Sequence, residues 1–205
     1  MSITLDRPAG RDNEGGTPRR WTREEFHRAA ALGLFGPGER LELVAGEIYQ
    51  KLTQNPPHAI GIGKTARALE TVFGAGFNIR QQLPIVLATD SEPEPDLLVV
   101  RGEPDDYVEH PTPADVLLLV EVSDSTLRFD QGRKAATYAE AGIADYWLLN
   151  LIDRRLEVHR KPIEDTEAPF GFRYQLVLLI TEGETIASLA MPETQIAVAD
   201  LLPRS

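Results

Sequence analysis

The 205-residue sequence contains no cysteine, which excludes disulfides, cysteine-ligated zinc and thiol nucleophiles. No apolar run approaches the ~20 residues a membrane helix needs, and the N-terminus lacks the apolar core of a signal peptide. These absences predict a cytoplasmic protein with no membrane partner. An internal repeat, a glycine-rich phosphate loop and a Gly-x-Ser-x-Gly elbow are missing too, so the chemistries tied to those motifs have no anchor. Bases are in deficit: 21 Lys and Arg stand against 32 Asp and Glu, a net charge of −11. That balance argues against a simple nucleic-acid binder.

The charge is unevenly placed. Between Asp90 and Asp124 there are eleven acids and one base, Arg101, so this segment holds −10 of the −11. From Ser125 to Lys161 seven bases face five acids. A solvated acidic loop at 101–115 accounts for part of this. A carboxylate cluster that needs cations is the other reading.

Residues 1–19 are rich in Gly, Arg and Asp and predict a flexible arm. The remainder, 20–205, is of a size for a single domain. Thr22 opens a capping box with Glu25, followed by a short amphipathic helix ending near Gly33 or Gly36. Leu41 and Leu43 alternate with Glu42, and Ala45-Gly46 turns the chain into a second strand. Pro56-Pro57 precedes a helical pattern from His58 to Phe73. Phe77–Gln82 and Leu83–Ala88 read as strands, and Leu97–Val100 as another. Val116–Val120 is an uninterrupted apolar run that suits a strand buried on both faces, with Glu121 at its end. In a strand, Glu121 and Ser123 share one face and Val122 takes the other. A helix after Asp130 stops at Gly142, and strands follow at Tyr146–Leu149, Leu156–His159 and Tyr174–Ile180.

An ionisable group at the end of a buried strand is costly unless paired, hydrogen-bonded or metal-bound. Two strands carry one each, Asp96 and Glu121. If they are neighbours, their carboxylates converge, and carboxylate oxygens suit Mg²⁺ or Mn²⁺. Such ions polarise a phosphoryl oxygen and lower the pKa of a bound water. Lys134 could stabilise the developing negative charge. It lies four residues after Asp130, so an exposed i,i+4 pair is its other reading. His58 and His159 read as structural, and Tyr138, Tyr146 and Trp147 as core or rim.

Several segments resemble the Uma-type restriction endonuclease family of the PD-(D/E)-x-K nuclease superfamily. They are Leu41-Glu-Leu-Val-Ala-Gly-Glu-Ile48, Glu94-Pro-Asp96, Glu121-Val-Ser-Asp-Ser-Thr126, Asp130-x-x-x-Lys134-x-x-x-Tyr138 and Ala141-Gly-Ile-Ala-Asp-Tyr-Trp-Leu-Leu-Asn150. The resemblance implies an α/β, restriction-endonuclease-like core: a central mixed sheet flanked by helices. It implies a metal ion, Mg²⁺ or Mn²⁺, on Asp96 and Glu121, with the Val122 carbonyl as a further ligand and Glu42 as an extra acid. Ser123 stands where the superfamily motif has Lys, and the resemblance implies that Lys134 replaces it from the following helix.

The function expected is metal-dependent hydrolysis of DNA phosphodiester bonds. Arg128, Arg133, Arg154 and Arg155 would contact DNA, and a homodimer would suit two cuts in a duplex. Two other readings stay open. One is a catalytically silent nuclease fold kept for partner binding or assembly. The other is a metal-dependent hydrolase of a non-DNA substrate.

Overall fold

The computed structural model describes residues 17–204. Most of the expected N-terminal arm, residues 1–16, lies outside the described residues. Helix α1 spans Arg23–Ala31, and Thr22 and Glu25 form the capping box read from the sequence. Strands β1 (Leu41–Val44) and β2 (Glu47–Gln50) form a separate antiparallel hairpin. Its two-residue loop, Ala45-Gly46, has φ of 47° and 75°, the positive values a tight hairpin turn requires.

Helix α2 (Pro56–Phe73) leads to a six-stranded sheet. Its strands are β3 (Phe77–Gln81), β4 (Leu97–Arg101), β5 (Val116–Ser123), β6 (Asp145–Asn150), β7 (Arg155–Glu164) and β8 (Phe172–Thr181). They lie side by side in chain order. All neighbours are antiparallel except β5 and β6, which pair in parallel from Leu119↔Tyr146 to Ser123↔Asn150. The crossover between those two contains α3 (Leu127–Phe129), a π-helical turn over Asp130–Lys134, and α4 (Ala135–Glu140). A two-stranded β9 (Thr185–Ile186) and β10 (Ile196–Ala197) and the short α5 (Val198–Leu201) close the chain.

The central strands β4, β5 and β6 are buried on both faces, as the apolar run at 116–120 predicts. Leu118, Val120 and Val122 share one core with Ile62, Leu69 and Phe73 of α2. Leu119 and Leu148 share the other with Ala135, Tyr138 and Ala139 of α4. Burying each large side chain of α2 contributes ~1.5–3 kcal/mol, which fixes the helix whose first turn carries His58. Among the described residues no helix is long and apolar enough to cross a membrane.

Two local expectations need correction. Leu83–Ala88 is not a strand. Gln82 adopts φ of 51° and turns the chain out of the sheet after β3, and Pro84 cannot donate to a ladder. The helix after Asp130 is not α-helical from its start. Its first five residues form a π turn, a feature often found at functional sites.

Candidate active site

Four elements bring charged side chains to one end of β5. Asp96 directly precedes β4, and Glu121 lies in β5 where the two strands pair beside Leu97↔Val120. Glu42 comes from β1 of the hairpin, and Lys134 from the last position of the π turn. Each is buried to 4 % exposure or less. The Lys134 ammonium is 2.9 Å from Glu121 Oε1 and 3.2 Å from Glu42 Oε2. The reading of Lys134 as an exposed partner of Asp130 is therefore corrected. Asp130 is buried as well, and its carboxylate accepts from the hydroxyls of Ser123 at 2.7 Å and Thr126 at 2.6 Å. Ser123, on the strand that carries Glu121, thus holds Asp130.

His58 and Tyr138, expected to be structural or core residues, both contact the acids. Asn55 caps α2 and accepts the His58 N–H at 3.0 Å. This sets His58 in the first helical turn, with its Nε2 3.0 Å from Asp96 Oδ2. Asp96 Oδ2 also accepts the Val122 N–H at 2.9 Å, and Gln82 donates to Asp96 Oδ1 at 3.3 Å. The Tyr138 hydroxyl donates to Glu121 Oε1 at 2.6 Å. Its spacing from Lys134, one helical turn, is the signal that would have found it. For His58 no local signal exists beyond the Pro-Pro helix start.

Helix α2 comes this close because position 61 is glycine. A methyl group there would meet Val122 Cγ1 at 2.9 Å. The contact sits one turn beyond His58, so glycine at 61 sets the imidazole's distance from the strand end.

The electrostatics follow from burial and crowding. Burial pushes the Glu121 carboxyl up to about 7; Lys134 opposes this, while Asp96, Asp130 and Glu42 add to it. Burial would also raise Asp96, but the His58 hydrogen bond and charge, with the Val122 N–H, outweigh it and hold Asp96 below its ordinary value. Burial disfavours the charged His58, yet Asp96 raises its pKa above the ordinary histidine value. Lys134 is desolvated, but Glu121, Glu42 and Asp130 keep it protonated, with a pKa well above the usual lysine range.

Asp96 and Glu121 are the hard oxygen donors that could hold a divalent ion. Glu42 is turned toward Lys134 and accepts the Glu94 N–H at 3.1 Å. Val122 meets the site through the N–H it donates to Asp96. Among the described residues, no group of three or more His, Asp and Glu side chains is arranged to hold a metal ion.

Three of the four arginines expected to contact DNA sit in ion pairs. Arg128 is exposed. Arg133 pairs with Glu47 at 2.8 Å and covers the Phe170 ring. Arg154 is bound to Glu182 and to the Pro203 carbonyl. Arg155 lies against Asp153 and Glu157.

Residues 23–199 match the family described as "Uma2: Putative restriction endonuclease". The fold is similar to that of a crystal structure described as "a putative nuclease belonging to DUF820" from Anabaena variabilis. The TM-score is 0.64 at 15% sequence identity, over 88% of this chain and 97% of that one. No curated protein matches the chain.

Proposed function

Because this chain belongs to the Uma2 restriction endonuclease family, we propose that it hydrolyses DNA phosphodiester bonds with a divalent metal ion, Mg²⁺ or Mn²⁺. The observation that carries this reading is the meeting of Asp96, Glu121 and Lys134 at one strand end, with Lys134 Nζ 2.9 Å from Glu121.

The donor set fits a hard dication. Glu42, Asp96, Glu121 and Asp130 are four buried acids around one buried lysine. Burial raises Glu121 first and the neighbouring acids add to it; that added like charge is what a dication would offset. Mg²⁺ commonly takes one or two carboxylates and completes its shell with water and substrate phosphate oxygens. Asp96 and Glu121 would hold it here. The bound ion would supply polarisation of the phosphoryl oxygen and a lowered pKa for coordinated water.

The chain's own residues have separable tasks. Lys134 keeps a fixed positive charge beside Glu121, where negative charge grows on the phosphoryl group in the transition state. Tyr138 orients Glu121 through its hydroxyl, and His58 orients Asp96 through Nε2. Asp130, gripped by Ser123 and Thr126, helps keep Lys134 protonated.

The deciding experiment incubates the full chain with plasmid and oligonucleotide DNA in Mg²⁺ or Mn²⁺, alongside EDTA and an Asp96→Ala control. Metal-dependent nicking lost in the variant supports the reading; no cleavage in either metal overturns it. A second reading, a nuclease fold kept for partner binding, draws on the net charge of −11 and on the lack of a three-ligand group among the described residues. It expects metal-independent behaviour throughout.

A further inference from the structure

The floor of the site is deep. Glu42, Asp96, Glu121 and Lys134 expose 4 % or less each, and all line one cavity of about 370 Å³. One side of that cavity is the 51–55 segment leading into α2, and the other is the 124–129 segment leading out of β5. The Asn55 amide donates to the Asp124 carboxylate and ties the two sides together at the rim. The volume is at the low end for small-molecule pockets, room for about one nucleotide. An unpaired nucleotide can enter such a space whole, whereas one held in a duplex must first leave its stack.

The wall carries a second feature. Tyr49 and Phe129 both line the cavity, with ring centroids 4.6 Å apart. The Lys134 ammonium is 5.9 Å from the centre of the Phe129 ring. Aromatic faces close to a cation suit an unpaired base, because every base has a π face and stacks with little regard to sequence. A paired base is already stacked on its neighbours and must be extruded first.

Outside the cavity, several cations are already held by acids. Duplex affinity depends on bases that neutralise phosphates. Arg133, Arg154 and Arg155 are paired with Glu47, Glu182 and Glu157, on a chain of net charge −11.

We infer that the substrate is single-stranded DNA, an unpaired nucleotide of which enters the cavity with its base against Tyr49 and Phe129 and its phosphate toward Asp96, Glu121 and Lys134. This rests on the phosphodiesterase reading of the site and narrows it. Tyr49 and Phe129 are then specificity-determining residues that select unpaired DNA.

The test is fluorescence anisotropy of the full chain with a labelled oligo-dT strand and with a duplex of the same length, in Ca²⁺. The single strand is expected to bind roughly ten-fold or more tightly than the duplex, since it alone gains stacking. Tyr49→Ala should weaken single-strand binding about five-fold or more, and Tyr49→Phe should restore it. Phe129→Leu keeps apolar volume beside Lys134 and should weaken binding likewise. If that variant fails to fold, the half-buried Tyr49 pair of variants decides. Equal affinity for duplex and single strand, or parent affinity in the aromatic variants, overturns the inference, as does no binding to either DNA. Cleavage assays in Mn²⁺ separate the two readings. Preferred cutting of duplex overturns the single-strand inference and leaves the phosphodiesterase reading standing. Aromatic-dependent binding of single strands with no cleavage of any DNA upholds the selection of unpaired DNA by Tyr49 and Phe129 but overturns the phosphodiesterase reading, single-stranded DNA then being a ligand and not a substrate.

Discussion

The ammonium of Lys134 lies 2.9 Å from Glu121 Oε1, although the two residues are 13 positions apart and on different elements. As an exposed pair with Asp130, Lys134 would contribute well under ~1 kcal/mol to stability. Buried against Glu121 and Glu42, it holds apart two acids that would otherwise face each other uncompensated. Lys134→Ala is expected to cost ~3–5 kcal/mol at neutral pH, measured by chemical denaturation. Cleavage at a temperature where the variant is folded should fall ~10²-fold or more. A loss below ~1 kcal/mol with parent cleavage would show that the pair carries neither role.

Glu121 sets a pH dependence. Its carboxyl is raised from 4.5 to about 7 in the folded protein, first by burial. The folded state therefore holds the proton more tightly than the unfolded chain. The stabilisation is fully present below about pH 4.5 and is lost as pH rises through about 7, at up to ~1.4 kcal/mol per pH unit. Parent and Glu121→Gln stabilities, compared from pH 4.5 to 8, should diverge over that window. A metal ion held by Glu121 as proposed would compete with the proton, so stabilisation by Mn²⁺ should be larger at pH 8 than at pH 6. An equal melting-temperature rise at both pH values would contradict this.

The His58–Asp96 contact works at both ends of the pH scale. His58 is raised above 6.5 by Asp96, despite its own burial, so its contribution is complete below 6.5 and disappears as pH rises through the elevated value. Asp96 is depressed below 3.8, so its contribution is present above 3.8 and disappears as pH falls through the lower value. His58→Gln should flatten the alkaline loss and start the acid loss at a higher pH. NMR titration of the His58 ring, with Asp96→Asn as comparison, checks the coupling; an unmoved His58 midpoint would break it.

Gly61 offers a purely steric test. An alanine there gains ~1 kcal/mol of helix propensity, but its methyl group meets Val122 Cγ1 at 2.9 Å. Overpacking of this kind costs ~1–3 kcal/mol. Gly61→Ala should lower stability and weaken Mn²⁺ binding by calorimetry, because α2 must retreat with His58. Adding Val122→Ala should recover much of the binding, since the two positions couple directly. No recovery would place the fault elsewhere.

The sheet was legible because its signal is local. Five apolar residues from Val116 to Val120 can only be accommodated with both faces covered, and the acid that follows must be paired. The Ala45-Gly46 hairpin and the Thr22 capping box are likewise written in a few adjacent residues. The π turn was not legible, because apolar spacing over five residues does not separate it from an α-helix. The false strand at 83–88 fails through the backbone of Gln82, whose left-handed conformation leaves no mark in composition. His58 escaped because it meets Asp96 across 38 positions, through a helix docked by Gly61. The partners of the arginines were hidden for the same reason. Arg133 and Arg154 are bound to Glu47 and Glu182, acids that a local reading cannot assign to them.

The parallel β5–β6 ladder carries a consequence for synthesis. Two parallel strands cannot be joined by a tight turn, so the chain between Ser123 and Asp145 must be wrapped over the sheet before they can pair. Loop closure of this kind is entropically slow and is rewarded only when the ladder zips. The wrapped segment carries Asp130, Lys134 and Tyr138. Closing the parallel crossover and neutralising the acids are therefore one event. Until β6 has left the ribosome, Glu42, Asp96 and Glu121 belong to a nascent chain with no docked lysine among them. Translation pausing or truncation before Asn150 would leave an acidic, unclosed half-sheet, a natural target for chaperones or proteases rather than a smaller folded domain.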